Sequence, residues 1–392
     1  MFTPIYLDHH STTPVDPRVL DAMLPYFTHE YGNASNRTHA WGRNASAAVE
    51  QAREQVAASL GARYSEIFFT SGATESNAIA LQGAARRAPG AHLVTSAIEH
   101  RSVLDSMRRL EREGWRLSVL PVDRHGFVDP RDVERALRPD TALVSIMAAN
   151  NEIGTIEPIA AIGAAVRRCE ALFHVDATQA VGRVPLDVEA MAIDLLSLSA
   201  HKIHGPKGVG ALYVRRRPRA VQLDALVEGG GQERGLRPGT LNVPGIVGLG
   251  AACALAMQSM EADAKRICAL RDRLQQRLLD AIEGLTVNGP VQHQHRLPAN
   301  LNVTIDGVEA EALLLGLPGL ALSAGAACSS SQARPSHVIE AIGVARSGTA
   351  AVLRFGIGRG NTTEEIDRAA SCVIDRVRQL RDRPTAPRIE TA

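Results

Sequence analysis

From about residue 45 to 215 the chain alternates two kinds of hydrophobic pattern. Stretches with helical periodicity, such as "ASAAVEQAREQVAASLG" (45–61) and "HRSVLDSMRRLEREG" (100–114), alternate with short apolar runs. The runs are "EIFFTS", "HLVTSA", "TALVSIMA", "ALFHVDA" and "DLLSLSA". They are too short for helices and predict buried strands. Strand–helix alternation in turn predicts an α/β fold, a mostly parallel sheet with helices on both faces. After Pro244 a long helical segment, about 245–283, is expected. Beyond it the runs "ANLNVTID", "LPGLALSAG" and "AVLRFGIG", with two further helices, predict a second, smaller α+β domain. No internal repeat or low-complexity linker interrupts the pattern, and the "PTAPRIETA" end reads as a frayed tail.

Composition narrows the class. The 392 residues carry a net charge of +1, so no overall field draws the chain to nucleic acid or to a membrane surface. No apolar run approaches the ~18 residues a membrane helix needs. The start, "MFTPIYLDHHSTTP", has no basic flank followed by an apolar stretch, so no signal peptide is expected. Five cysteines without CxxC spacing argue against a disulfide framework and for a reducing, cytoplasmic setting. Of 43 basic residues only Lys202, Lys207 and Lys265 are lysines, so any chemistry that needs an amine has three candidates.

In open parallel sheets ligands sit beyond the carboxyl ends of the strands. The residues that follow the five runs are Ser71 to Glu75, Glu99-His100, Asn150 to Glu152, Asp176 to Gln179, and Ala200 to Lys202. All are polar and are expected on one edge. "SGATES" is either a plain N-cap turn or a phosphate-binding helix start. His100 by itself reads as a satisfied core histidine. Asp176 follows an apolar strand directly, where an unpaired carboxylate is costly, and needs a cationic partner. Lys202 is the informative residue, because desolvation at a strand end lowers a lysine's pKa and makes it nucleophilic. A phosphate turn, a carboxylate, an imidazole and an activated lysine together point to pyridoxal 5'-phosphate, with Lys202 forming the Schiff base and Asp176 partnering the pyridinium nitrogen.

"SxHKIHGPKG" (199–208), "HVDATQAVG" (174–182), "SGATESN" (71–77), "ANNEIG" (149–154), "RPGTLN" (237–242) and "SAGAACSSS" (323–331) together resemble the cysteine desulfurases. These are pyridoxal-phosphate enzymes of the class V aminotransferase superfamily, and the likeness is to the iron–sulfur-assembly branch. The resemblance implies an aspartate aminotransferase-like, fold type I transferase. Its large cofactor domain would be residues 15–260, and its small domain 1–14 with 261–392. It also implies a homodimer. Carried over residue by residue, it makes Lys202 the Schiff-base lysine, Asp176 the pyridinium partner, Gln179 the hydrogen-bond partner of the ring hydroxyl, and His100 the imidazole stacked on the ring. Ala73, Thr74, Ser199 and His201 match phosphate contacts. Thr240 matches a phosphate contact delivered from the other subunit. Asn151, which also borders the cofactor, and Arg354 match groups near the substrate carboxylate, a role that suits a guanidinium. Cys328 matches the cysteine that takes the sulfur as a persulfide. Ala326, His204 and Pro238 depart from residues common in the family, but the named roles remain filled.

The implied activity converts L-cysteine to L-alanine and passes the sulfur through Cys328 to an acceptor protein, such as an iron–sulfur scaffold. No resident metal is expected, Cys328 being at most a transient iron–sulfur ligand. Read alone, Cys328 is as well explained as a buried small hydrophobe. The loop 323–335, however, holds four Ala, four Ser and one Gly with no large apolar anchor, so a mobile loop is expected. Pro335 and Ser336 mark the start of the next helix. Rival readings are a selenocysteine lyase or another class V aminotransferase, a non-enzymatic phosphate-binding α/β protein, and a metal protein using His293 and His295. Two histidines at i, i+2 read better as a polar loop.

Overall fold

The computed structural model describes residues 4–324, 336–344 and 349–382. All five apolar runs become strands of one seven-stranded sheet. Its order is Ile67–Thr70, Gly210–Val214, Leu195–Ser199, Leu172–Asp176, Thr141–Ser145, His92–Ser96 and Arg116–Leu120. Only Gly210–Val214 runs antiparallel to its neighbours. Alternate residues enter different cores. Phe69, Val94, Val144 and Leu196 pack on one face, and Phe68, Leu93, Leu143 and Leu195 on the other. A sheet covered on both faces needs apolar residues at every position, so its strands read as runs rather than alternations.

Two strands lie outside the pattern-based expectation. Arg116–Leu120 is a half-exposed edge strand, so it carries no apolar run. Gly210–Val214 begins with a glycine that has a steric cause. A Cβ on Gly210 would stand 2.5 Å from the Leu198 carbonyl oxygen and 2.7 Å from the Gly72 Cα. The bare backbone lets this strand close against the turn that starts the Ala73–Ala85 helix.

The long helix spans Val243–Ala281 and joins two cores. Val243, Ile246, Leu249 and Cys253 pack under the large sheet, and Ile267, Leu270, Leu274 and Leu278 pack under a second sheet. This corrects the expectation about apolar runs, because the helix is long and apolar enough to cross a membrane by length and composition. Half of its apolar window is buried inside the protein, which marks a core helix. The second sheet is antiparallel, in the order Ser323–Ala324, Ala350–Gly356, Asn300–Asp306 and Leu285–Asn288. Three helices rather than two follow the long one among the described residues: Ala310–Leu315, His337–Ala341 and Thr363–Arg381. Ser336 caps the second, where its start was expected. The chain's beginning returns to this region. Ile5–Tyr6 pairs with Leu320–Ala321, and Leu7 enters the second core.

One buried ion pair ties the outer strand to the segment that carries Thr240. Arg53 grips Glu233 through two 2.8 Å bonds, and the Phe69 N–H donates to the same carboxylate at 2.7 Å. Both side chains are buried. Glu233 and its neighbour Arg234 hold left-handed backbone (φ +47° and +56°), a strained state that such anchoring sustains. Replacing Glu233→Ala takes away the buried partner of Arg53 and leaves it only the half-exposed Glu50, 3.2 Å from its Nε, as a counter-charge. It should lower unfolding stability by about 3–5 kcal/mol, read as a reduced urea midpoint at unchanged slope.

Candidate functional site

The sheet edge opens into a cleft of about 680 Å³. Ala73, Thr74, His100, Asn151, Asp176, Gln179, Ser199, His201, Lys202 and Arg354 all line it. Of the residues singled out from sequence, two stand apart. Thr240 is exposed and is not part of this wall. Cys328 lies outside the described residues, as does the expected mobile loop except for Ser323 and Ala324.

Lys202 ends a one-turn helix directly after the Leu195–Ser199 strand. Its Nζ donates to the carbonyl oxygens of His10 and Ser11 at 2.6 and 2.7 Å. Burial, with Arg183 and Arg354 nearby, brings its pKa down to about 8. Neighbouring His201 is brought down to about 4, chiefly by burial and then by Lys202. Lys207 also reaches the cleft rim, and Lys265 does not.

Asp176 ends its strand almost fully buried. Two neutral donors orient it from the protein side. Asn77 Nδ2 donates to Oδ2 at 2.8 Å, and the Thr178 N–H donates to Oδ1 at 3.0 Å. Gln179 is also engaged, its Nε2 donating to the His10 carbonyl at 2.9 Å and its Oε1 accepting from Arg183 at 2.6 Å. Asn77, Arg183 and the N-terminal carbonyls were missed from sequence. Asn77 stands inside the "SGATESN" motif, which was the available signal.

His100 caps the Arg101–Arg112 helix, its Nδ1 accepting the Ser102 N–H at 3.2 Å. That bond leaves Nε2 as the protonated nitrogen of the neutral ring. Withdrawal from water lowers its pKa, Asp176 opposes the shift, and Lys202 reinforces it. At the start of the Ala73–Ala85 helix, Gly72 is an N-cap with no side-chain bond. First-turn N–H groups have no carbonyl of their own helix to bond, so the turn can receive an anion. The buried His10 Nε2 and Thr178 Oγ1, both on the cleft wall, have no partner among the described residues.

Arg354 enters the far side of the cleft from the Ala350–Gly356 strand. The described residues on either side of 325–335 are fastened nearby. Ser323 bonds to Asp8 at 2.9 Å, Ser336 donates to Glu152 at 2.5 Å, and His337 Nε2 lies 2.9 Å from the Glu99 carbonyl. Away from the cleft, His293 Nδ1 lies 3.3 Å from Cys268 Sγ and 3.6 Å from Asp272 Oδ2. Arg271 already supplies the cation there, with Nη2 2.9 Å from the sulfur and 2.6 Å from the imidazole. His295 instead packs edge-on against Phe127.

The family model described as aminotransferase class-V matches residues 5–369. Cysteine desulfurase IscS of Anaeromyxobacter dehalogenans is 54% identical over 384 residues, covering 97% of this chain and 94% of that protein. Cysteine desulfurase of Mus musculus is 52% identical over 382 residues, covering 97% and 82%. Among solved structures, a NifS-like protein superposes with a TM-score of 0.88 at 38% identity, covering 96% of this chain and all of that one. DndA from Streptomyces lividans gives 0.76 at 40% identity, covering 90% and 99%. The chain belongs to the aminotransferase class-V family, within its cysteine desulfurases.

Proposed function

We propose that the chain is a pyridoxal-phosphate-dependent cysteine desulfurase that converts L-cysteine to L-alanine and passes the sulfur to Cys328. The observation that carries this reading is the meeting, in one cleft, of a lysine of lowered pKa, a buried carboxylate, an uncapped helix start and a buried arginine. The family depends on pyridoxal phosphate, and the donor set fits that group. N–H donors stand at the start of the Ala73–Ala85 helix, a carboxylate acceptor sits at Asp176, and the Lys202 amine lines the same cleft.

When bound, the cofactor supplies an aldehyde carbon for an amine and a sink for the electron pair left as the substrate Cα–H bond breaks. Lys202 would be the amine that holds it, and its lowered pKa suits it to take the substrate Cα proton. Asp176 accepts from the ring nitrogen and is itself oriented by Asn77 and Thr178. Ala73, Thr74, Ser199 and His201 would hold the phosphate, Gln179 would bond the ring hydroxyl, and Asn151 would border the cofactor. Thr240 completes the phosphate site of a second copy in a homodimer. Five large exposed apolar side chains between Leu20 and Trp41 support such a contact surface. Arg354 takes the substrate carboxylate. His100 moves a proton through Nε2. The Cys328 thiolate then bonds to the substrate sulfur as the C–S bond breaks. The electron pair goes to carbon, which takes a proton to become alanine, and Cys328 is left as a persulfide. The two domains would be 15–260 and the pair 1–14 with 261–392, with the cleft between them. An acceptor protein receives the sulfur, and a reducing compartment such as the cytoplasm suits the free thiol.

Three outcomes test this reading. Lys202→Ala should abolish the visible absorbance band of the cofactor-loaded protein, and a retained band overturns the assignment. Cys328→Ser should keep that band and lose sulfide release; sulfide at the native rate removes Cys328 from the reaction. The third concerns pH. Only the neutral amine attacks an aldehyde, so with Lys202 near 8, the rate of cofactor uptake by the apoprotein should rise as pH increases through about 8 and then level off. An ordinary lysine, near about 10.4, would still be climbing there. Stopped-flow absorbance across that range distinguishes the two.

A further inference from the structure

Arg354 sits in an apolar strand with only 11% of its side chain exposed. A guanidinium so placed has lost most of its water, and its hydrogen bonds account for where it points. Nη2 faces three oxygens: Ser11 Oγ at 2.7 Å, Asp8 Oδ1 at 2.9 Å and Ser323 Oγ at 3.2 Å. Nη1 donates to the Asn151 carbonyl at 3.1 Å, while Nε is buried without a partner among the described residues. Asp8 is the one counter-charge paired with it among the described residues.

Asp8 is held on its own account. It bridges to Gly356, two residues beyond Arg354, and the backbone on either side is pinned. Gly356 N–H donates to the Leu7 carbonyl at 2.7 Å, and His9 N–H donates to the Gly356 carbonyl at 3.1 Å. Ser323, directly opposite Arg354 in the antiparallel pair, donates a further 2.9 Å bond to the Asp8 carboxylate. The acceptor for Arg354 is therefore fixed by two neighbouring strands, at Gly356 and at Ser323.

We propose that Asp8 is a positioning residue: it fixes the Arg354 guanidinium in the orientation that receives the carboxylate of an α-amino acid. The inference rests on the Arg354 role stated above and deepens it. Asp8 does not touch the substrate. It neutralises Arg354 while the cleft is empty and removes the rotamer freedom of a long side chain before binding, so that freedom is not lost when the ligand arrives. A purely structural role, fastening the chain's start to the second sheet, predicts a different response.

The test compares native holoenzyme with Asp8→Asn, Arg354→Gln and the double variant, by calorimetric titration with L-alanine and by steady-state turnover of L-cysteine. If Asp8 acts through Arg354, Asp8→Asn weakens L-alanine binding about tenfold. It raises KM by a similar factor and leaves kcat within about threefold. The double variant then binds no more weakly than Arg354→Gln alone. Native affinity in Asp8→Asn, or losses in the double variant that multiply, overturn the proposal. Asp8→Glu keeps the charge while moving it by one methylene, and it reads the same question if the asparagine variant fails to fold. Weaker L-alanine binding supports positioning, and native binding overturns it. A native chain that binds L-alanine but releases no sulfide refutes the proposed function, while the affinity comparison still judges Asp8.

Discussion

Two carbonyl oxygens hold the Lys202 ammonium, those of His10 and Ser11. Much of the molecule is arranged so that they can. They belong to a segment, Asp8 to Thr13, that runs from the second sheet to the turn behind Lys202. Its first residue holds Arg354, and its last, Thr13, donates to the His201 carbonyl at 2.9 Å and accepts the His204 N–H at 2.8 Å. One short segment thus sets the distance between the lysine of one core and the arginine of the other. The amine that must react and the guanidinium that must bind are referenced to the same stretch of backbone.

The site also depends on how buried charge is managed. Arg183 donates to the carbonyls of His9 and Lys202 at 3.2 and 2.9 Å, and it is itself brought down to about 10 by burial. Its positive charge beside Lys202 favours the neutral amine. Behind His100, the fully buried Glu99 is raised to about 8 by burial, while bonds from Ser96 and the Met147 N–H act against the rise. A carboxyl that stays protonated near neutral pH adds no second negative charge next to Asp176. The cleft therefore presents one carboxylate at the ring position, one amine whose pKa is brought down to about 8 and one compensated guanidinium.

Parts of this were legible because they are local. Runs such as "EIFFTS" announce strands covered on both faces, and polar residues directly after them announce the sheet edge. The scarcity of lysine singled out Lys202 before any geometry was known. What escaped was non-local. Arg116–Leu120 gains its partner from the sheet rather than from apolar side chains, and Gly210–Val214 is a strand because a glycine lets it reach the Gly72 turn. Asn77 orients Asp176 from 99 residues away, and Asp8 meets Arg354 across 346. No periodicity encodes such pairs.

The amino-acid sequence alone determined the α/β class, the five apolar strands, the order of motifs along one sheet edge and the residue types able to do the chemistry. Each follows from local pattern, strand by strand. Only the tertiary structure decided what holds those residues. It turned a membrane-length apolar helix into a beam joining two cores, satisfied Asp176 with neutral donors, and filled the Cys268–His293 cluster with Arg271. It also set Thr240 apart from the cleft of its own chain. The physical reason is common to all four. Hydrogen bonds and buried ion pairs are made between whatever groups the packed cores bring within about 3 Å, and that proximity is a property of the whole fold.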